Sequence, residues 1–292
     1  MRTLLISFSG GETSAFMTKW LLENARDQYD RMLVVFANTG QENEETLEFV
    51  RDCDEQFGFG TVWIEAVVNP IKGEATSYKI VNFETASRNG EPFEAVISKY
   101  GIPNQAFRHC TYNTKRYPIE AYARSFGLRP KDYDLAIGIR ADEIDRMSVT
   151  DKRRIIYPLI SMVKTTKADI NDFWLRQPFR LRLKDYQGNC KWCWKKSMRK
   201  HFRIINENPA AYDFPRRMEQ VYGKVGAEFE KDVKPEPEYR RTFFRKNLST
   251  DDMFRLAQGY VEPAQQMSIF DDWLDVGAGC EESCEVFSSE DA

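Results

Sequence analysis

Apolar runs of strand length alternate with helical patterns through the first half of the chain. Runs at residues 3–8, 32–40, 61–68 and 133–139 have the composition of buried strands. Helical patterns follow the first two runs from Glu12 and from about Glu42, and another begins at Pro118. Strands that alternate with helices predict an α/β fold, a doubly wound, mostly parallel sheet covered on both faces.

The pattern changes after residue 160. Thr166 and Asp169 have the spacing of a helix start, and beyond Pro178 the sequence predicts mostly helical fragments. These fragments cover residues 196–206, 215–222 and 250–258. We therefore expect a nucleotide-binding domain over 1–175, a smaller, mostly helical basic region over 176–262, and an acidic, partly disordered tail over 263–292.

The composition is that of a soluble globular protein. Of the 292 residues, 42% are hydrophobic and 30% are charged, and no apolar run approaches the length of a membrane span. Arg2 precedes a short strand rather than the apolar core of a signal peptide, so the expected location is the cytoplasm. In that reducing compartment, the six cysteines are better candidates for metal ligands or reactive thiols than for disulfides.

The turn after the first strand has the features of a phosphate cradle. Gly10 and Gly11 permit backbone angles and a close approach that a Cβ atom would prevent. The amides of the turn and the dipole of the following helix favour an anion, and Ser9, Thr13 and Ser14 add hydroxyl donors. The Gly-Lys-Ser/Thr ending of a Walker A loop is missing, which argues against transfer of a γ-phosphoryl group. A plain tight turn is the alternative.

Five motifs occur in order along the chain: SFSGGETS, ANTGQENEET, RHCTYNTKRYP, GIRADEIDR and YPLI, which begin at residues 7, 37, 108, 138 and 157. With these motifs, residues 3 to about 205 resemble the pyrophosphate-loop ATP pyrophosphatases, and most closely their phosphoadenosine phosphosulfate (PAPS) reductase family. Many members of that superfamily carry Lys-Asp where this chain has Glu12-Thr13. This departure leaves open which group contacts the metal or the α-phosphate.

The resemblance implies that ATP, or a PAPS-like adenine nucleotide, lies across the strand ends. ATP pyrophosphatases transfer AMP to a substrate oxygen and release pyrophosphate, with Mg²⁺ offsetting the charge. By position, Asn38, Thr39 and Gly40 should meet the adenine or ribose, and Glu42 or Asp142 could serve Mg²⁺. The expected nucleotide-binding residues are Ser9, Gly10, Gly11, Thr13, Ser14, Asn38, Thr39, Gly40, Glu42 and Gly138, and the expected catalytic residues are Arg140, Asp142 and Lys115.

Three cysteines fall where the resemblance implies a metal centre. Cys190 and Cys193 form a C-x-x-C motif, which suits zinc, an iron–sulfur cluster or thiol exchange. Cys110 lies where iron–sulfur members of the family carry a Cys-Cys pair. Cys284 or Cys280 could supply a fourth ligand. An iron–sulfur cluster is the expected cofactor, with zinc or unrelated thiols as alternatives, whereas Cys53 shares a helix face with apolar residues and is expected in the core.

Two segments suggest macromolecular partners. Between Arg176 and Arg203 there are ten Lys/Arg residues and one acid, with Trp192, Trp194 and Phe202 interleaved. This composition suits a nucleic acid, although the aromatic residues could instead pack the helical region, and Phe202 is expected in the core. The segment Gln266–Phe270, QMSIF, resembles the pentapeptide that binds bacterial sliding clamps, but it could also fold back on its own domain.

The sequence therefore predicts an ATP pyrophosphatase that adenylates its target and supports sulfur or other group transfer, onto a nucleic acid or nucleobase. One alternative is a sulfonucleotide reductase acting on PAPS or its unphosphorylated analogue, although the tail cysteines lack the family's Glu-Cys-Gly motif. The others are a non-catalytic nucleotide-binding adapter of the replication machinery and an amidating or ligating enzyme with a zinc knuckle.

Overall fold

The computed structural model describes residues 1–71, 73–147, 153–226 and 240–261, and strands in these ranges form one six-stranded sheet. The strand order is β4-β3-β2-β1-β5-β6, with every neighbouring pair parallel except β3 and β4. The strands are β1 (Thr3–Ser7), β2 (Arg31–Asn38), β3 (Val62–Val67), β4 (Ser77–Val81), β5 (Tyr133–Ala136) and β6 (Arg154–Ile156).

Helices pack on both faces of this sheet, and the helices of the C-terminal part of the chain pack together in a separate group. The α-helices are α1 (Glu12–Asn24), α2 (Glu44–Phe57), α3 (Glu91–Tyr100), α4 (His109–Thr111), α5 (Tyr117–Ser125), α6 (Pro158–Ser161), α7 (Lys167–Leu175), α8 (Met198–Glu207), α9 (Asp213–Tyr222) and α10 (Thr250–Gln258). A π-helical turn, Tyr112–Arg116, joins α4 to α5. No helix among the described residues has the length and apolar character that crossing a membrane requires.

The described residues bury their apolar side chains in three clusters. One lies between the sheet and α1, α2 and α7, and includes Ile6, Phe36 and Trp174. A second lies on the opposite face under α5. The third joins α3 to α8, α9 and α10, with Trp192 and Phe243 among its members. The C-terminal helices therefore pack on a core of their own, which reaches the sheet domain through α3.

The predicted α/β architecture is confirmed at the level of a mostly parallel sheet with helices, and the four predicted strands are present. The helix expected over 250–258 has those bounds, and Thr166 and Asp169 cap α7 as expected. Two strands, β4 and β6, and three helices, α3, α4 and α6, were not predicted. β4 is an edge strand with mostly exposed side chains, and β6 has three residues, so neither carries the apolar run that marks a buried strand.

Candidate functional site

The glycine turn joins β1 to α1 in a conformation that only glycine adopts readily. Gly10 has φ of 82°, and a Cβ atom there would lie 2.8 Å from Thr46 Cγ2. The hydroxyls of Ser9 and Ser14 are 2.9 Å apart, and Ser14 also donates to the Gly11 carbonyl at 3.0 Å. These contacts close the turn on itself and hold the start of α1 against the end of β1.

The loop after β5 lies directly beside this turn. A Cβ atom on Gly138 would lie 3.1 Å from Ser14 Cα, so the two backbones are in close contact. Arg140 is buried, donates to Thr13 Oγ1 at 3.0 Å, and forms an ion pair with Asp142 at 3.2 Å. The chain leaves β1 towards β2 on one side and reaches β5 on the other, so this crevice is the topological switch point where open α/β sheets bind ligands.

Hydrogen bonds of buried side chains hold the turn after β2 in place. Asn38 is fully buried, donates to Glu65 and to the Ser87 carbonyl, and accepts from the Gly40 amide. Glu65 is also fully buried and receives further hydrogen bonds from Ser87 and an ion pair from Lys79. The Asn38 side chain is therefore used in contacts within the protein.

Glu42 and Lys115 form a buried charged pair at the end of β2. The Glu42 carboxylate accepts from the Thr39 amide and hydroxyl at 2.9 Å. Lys115 Nζ lies 3.8 Å from Glu42 Oε1, and Cys190 Sγ lies 3.8 Å from the same oxygen. The structure therefore places Lys115 with Glu42 and a cysteine, whereas Arg140 and Asp142 lie at the β1–β5 crevice.

Cys110, Cys190 and Cys193 line one cavity of about 40 Å³. Its wall also contains Thr39 and Lys115, together with Phe93, Trp192 and Trp194. The C-x-x-C motif thus meets the cysteine of the RHCT motif across the end of β2. No group of three Cys, His, Asp or Glu side chains within the described residues has the arrangement of a metal site. Cys284, Cys280 and the clamp-like segment Gln266–Phe270 lie outside the described residues.

Residues 188–191, which we call the strap, cross the carboxyl ends of β1 and β2. Asn43 donates from its amide to the Asn189 carbonyl at 2.7 Å and from its side chain to the Gly188 carbonyl at 2.6 Å. The backbone amide of Lys191 donates to the Gln41 carbonyl at 2.9 Å. On the β1 side, Asn189 Nδ2 donates to the Ser9 carbonyl at 2.7 Å. The strap therefore connects the glycine turn to the cysteine cavity.

A larger cavity of about 470 Å³ opens at the start of α1. Glu12, the first residue of that helix, lies in its wall and forms a two-pronged ion pair with Arg180 at 3.0 and 3.1 Å. The other charged residues in the wall are Lys167, Lys184, Asp185 and Lys200. Four cations against two carboxylates, beside the positive end of α1, make this cavity suitable for an anion.

The aromatic residues of the basic segment are buried. Trp192, Trp194 and Phe202 expose 2%, 4% and 3% of their surface, and all three belong to the core under α8 and α9. The prediction that Phe202 lies in the core is confirmed. Trp192 and Trp194 lie in the third apolar cluster, which agrees with the alternative that the aromatic residues pack the helical region. Cys53 is also buried in the core, as predicted.

Two side chains of the site were not anticipated from the sequence. Asn189 is next to a predicted ligand but has no motif of its own, and its partner Ser9 lies 180 residues away. Arg180 belongs to the basic segment, and its pairing with Glu12 spans 168 residues. The opposite charges of Arg180 and Glu12 were a weak sequence signal for their pairing, whereas nothing in the sequence indicated that Asn189 contacts Ser9.

The chain is similar to the uncharacterized nin region protein ORF290 of Escherichia phage lambda, with 29% identity over 296 residues. The similarity covers 98% of this chain and 96% of the phage protein. No family model matches the chain, and no solved structure matches it.

Proposed function

We propose that the protein binds an adenine nucleotide at the β1–β5 crevice and transfers AMP from ATP to a target, with release of pyrophosphate. The observation that carries this proposal is the convergence of the glycine turn, Gly138 and Arg140 at the switch point of a mostly parallel sheet. The order of the five motifs, which resembles that of the pyrophosphate-loop enzymes, supports the choice of an adenine nucleotide.

The residues around the turn suit the phosphate chain. The amides at the start of α1 offer donors to an anion, and Arg140 adds a fixed cation with a planar, multidentate donor set. The cavity beside Glu12 provides room for further phosphate oxygens among Lys167, Arg180 and Lys200. Mg²⁺ would be held by phosphate oxygens together with a carboxylate, for which Asp142 is suited because 40% of its side chain remains exposed.

The first step is displacement at the α-phosphorus. A target oxygen forms a bond to that phosphorus, the bond to the α–β bridging oxygen breaks, and its electron pair leaves with pyrophosphate. Arg140 is positioned to offset the charge that develops on the phosphate oxygens. A nitrogen or hydrosulfide nucleophile then attacks the activated carbon, and AMP leaves with the former target oxygen. The second step needs no oxidant, because the incoming sulfur is already at the sulfide level.

The cysteine cavity is the candidate site for the sulfur-bearing group. Cys110, Cys190 and Cys193 share one cavity, which is what either a metal centre or a relay of thiols requires. The described residues do not form a three-ligand metal site in this conformation. An iron–sulfur cluster, with zinc as the alternative, remains a prediction that metal analysis decides.

A phosphate-bearing acceptor, such as a nucleic acid, suits the charge around the larger cavity. Arg180, Lys184 and Lys200 line it, and Arg182 is exposed on the same segment. Such an acceptor would be held through its backbone phosphates, because the tryptophans of the segment are buried. Binding of this kind weakens steeply as salt concentration rises.

The proposal is tested with ATP labelled separately at the α- and γ-phosphates. We expect labelled AMP and pyrophosphate when Mg²⁺ and an acceptor, such as single-stranded nucleic acid, are present. Formation of ADP and phosphate would contradict adenylation. Sulfite release from PAPS with a thioredoxin would instead favour the reductase alternative. Arg129→Ala is a matched control, because Arg129 is exposed and pairs with Asp132 at the opposite end of β5.

A further inference from the structure

Asn189 lies between the glycine turn and the cysteine cavity. Its Nδ2 donates to the Ser9 carbonyl at 2.7 Å, and the next residue, Cys190, pairs with Glu42 through an isolated β-bridge. Cys190 Sγ lies 3.8 Å from Glu42 Oε1. Asn189 contacts the glycine turn, and the next residue in the chain, Cys190, directs its thiol towards Glu42.

The orientation of the Asn189 side chain is fixed by the chemistry of its partner. A carbonyl oxygen accepts hydrogen bonds and cannot donate them, so the nitrogen of the Asn189 amide must face Ser9. The residue exposes 3% of its surface, and its Oδ1 is a buried acceptor with no hydrogen-bond partner among the described residues. A buried acceptor without a partner raises the free energy of the conformation that contains it.

The same hydrogen bond holds a carbonyl of the turn that, under the proposed function, would receive the anion. An anion requires that the turn direct its N–H groups towards the ligand and its carbonyls away from it. Asn189 holds the Ser9 carbonyl, and the strap that carries Asn189 also carries Cys190. If an anion changes the position of that carbonyl, the strap must respond, and the coupling acts equally in both directions.

On the basis of the proposed function, we infer that Asn189 is a positioning residue that sets Cys190 against Glu42 according to whether a nucleotide occupies the glycine turn. Asn43 provides the contrast within the same strap. Its side chain donates to the Gly188 carbonyl from the β2 side. Losing that contact loosens the strap, whereas losing the Asn189 side chain disconnects the strap from the turn.

The test measures the rate at which iodoacetamide alkylates Cys190, with and without saturating ATP and Mg²⁺, by peptide mass mapping of the full-length protein from which any cysteine-bound metal has first been removed with a chelator. Cys53 is the internal control, because it is fully buried. We expect ATP to change the Cys190 rate by about fivefold or more, the lower end of usual coupling between sites. Asn189→Asp keeps the size of the side chain but cannot donate to Ser9, so ATP should leave its Cys190 rate unchanged. Asn43→Ala should keep the response.

The outcomes separate this inference from the proposed function. If calorimetry shows that the wild-type protein does not bind ATP, the proposed function fails and the inference fails with it. If ATP binds but does not change the Cys190 rate, or if Asn189→Asp keeps the full response, the inference alone is overturned. Cooperative thermal unfolding establishes that each variant is folded, and Asn189→Ser replaces the Asp variant if the latter is not.

Discussion

Arg140 donates a hydrogen bond to Thr13 Oγ1 across 3.0 Å, and this contact joins the loops that follow β5 and β1. Arg140 is also buried, so its charge is screened less by water than that of a surface arginine. Two loops that lie far apart in sequence thus hold one cation at the mouth of the crevice. This geometry gives the first prediction.

Arg140→Ala should weaken ATP binding by about 10- to 100-fold, because hydrogen bonds to charged groups contribute about 1.5–3 kcal/mol. Arg140→Lys should fall between wild type and Ala, since lysine keeps the charge but loses the fork. Isothermal titration calorimetry measures both affinities. Equal affinity of Arg140→Ala and the Arg129→Ala control would show that Arg140 does not contact the nucleotide.

Gly138→Ala tests the close approach of the two loops. The new methyl group would lie 3.1 Å from Ser14 Cα and 3.3 Å from Ser14 Cβ, so the start of α1 must move away from β5. We expect ATP affinity to fall by about tenfold. This corresponds to about 1.4 kcal/mol, which lies within the roughly 1–3 kcal/mol that overpacking costs. Gly259→Ala is the control, because its nearest neighbour would be 3.9 Å away. An unchanged affinity in Gly138→Ala would place the nucleotide elsewhere.

Sequence patterns predicted the elements and the turn because those depend on residues close together in the chain. Glycines between a buried strand and a helix indicate a tight turn from neighbouring residues alone. The contacts of Asn189 and Arg180 could not be predicted in this way, because each partner lies more than 160 residues away. The burial of Trp192 likewise depends on α3, α9 and Phe243, which only the folded chain brings together.

Glu219 makes the stability of the third apolar cluster, which joins α3 to α8, α9 and α10, depend on pH. Its carboxylate lies on α9 and accepts hydrogen bonds from the amides of Phe243 at 3.0 Å and Thr250 at 2.7 Å. Burial raises the pKa of Glu219 to about 7, because the charged form loses its hydration, and the amide donors offset only part of this effect. The folded protein therefore retains a proton that the unfolded chain releases near pH 4.5.

This contribution to the free energy of unfolding is fully present below about pH 4.5 and is lost as the pH rises to about 7. Its size is on the order of 3 kcal/mol, and Glu219→Gln should remove this part of the pH dependence. Urea unfolding at pH 5, 6, 7 and 8 measures the slope. Glu55→Gln is the control, because Glu55 is exposed. The assignment is wrong if Glu219→Gln and Glu55→Gln have the same slope as wild type.

The three cysteines of the cavity lead to a prediction about metal content. Thiolates that share one cavity can bind either an iron–sulfur cluster or zinc, and the two are distinguished by acid-labile sulfide. We expect protein purified without oxygen to contain about four irons with matching sulfide. Cys190→Ser and Cys193→Ser should lose both, whereas Cys53→Ser should keep them, because Cys53 lies in the core between the sheet and α2.

Zinc without sulfide would instead make the cysteine site structural. In that case Cys190→Ser should lower thermal stability but leave ATP cleavage to AMP and pyrophosphate largely intact, since the glycine turn and Arg140 do not depend on the metal. A protein with neither metal, in which Cys190→Ser has no effect on group transfer, would leave the cysteines as packing residues. Metal analysis of the wild-type protein should come before the assays of the serine variants, because its result decides whether those variants are expected to lose group transfer or only thermal stability.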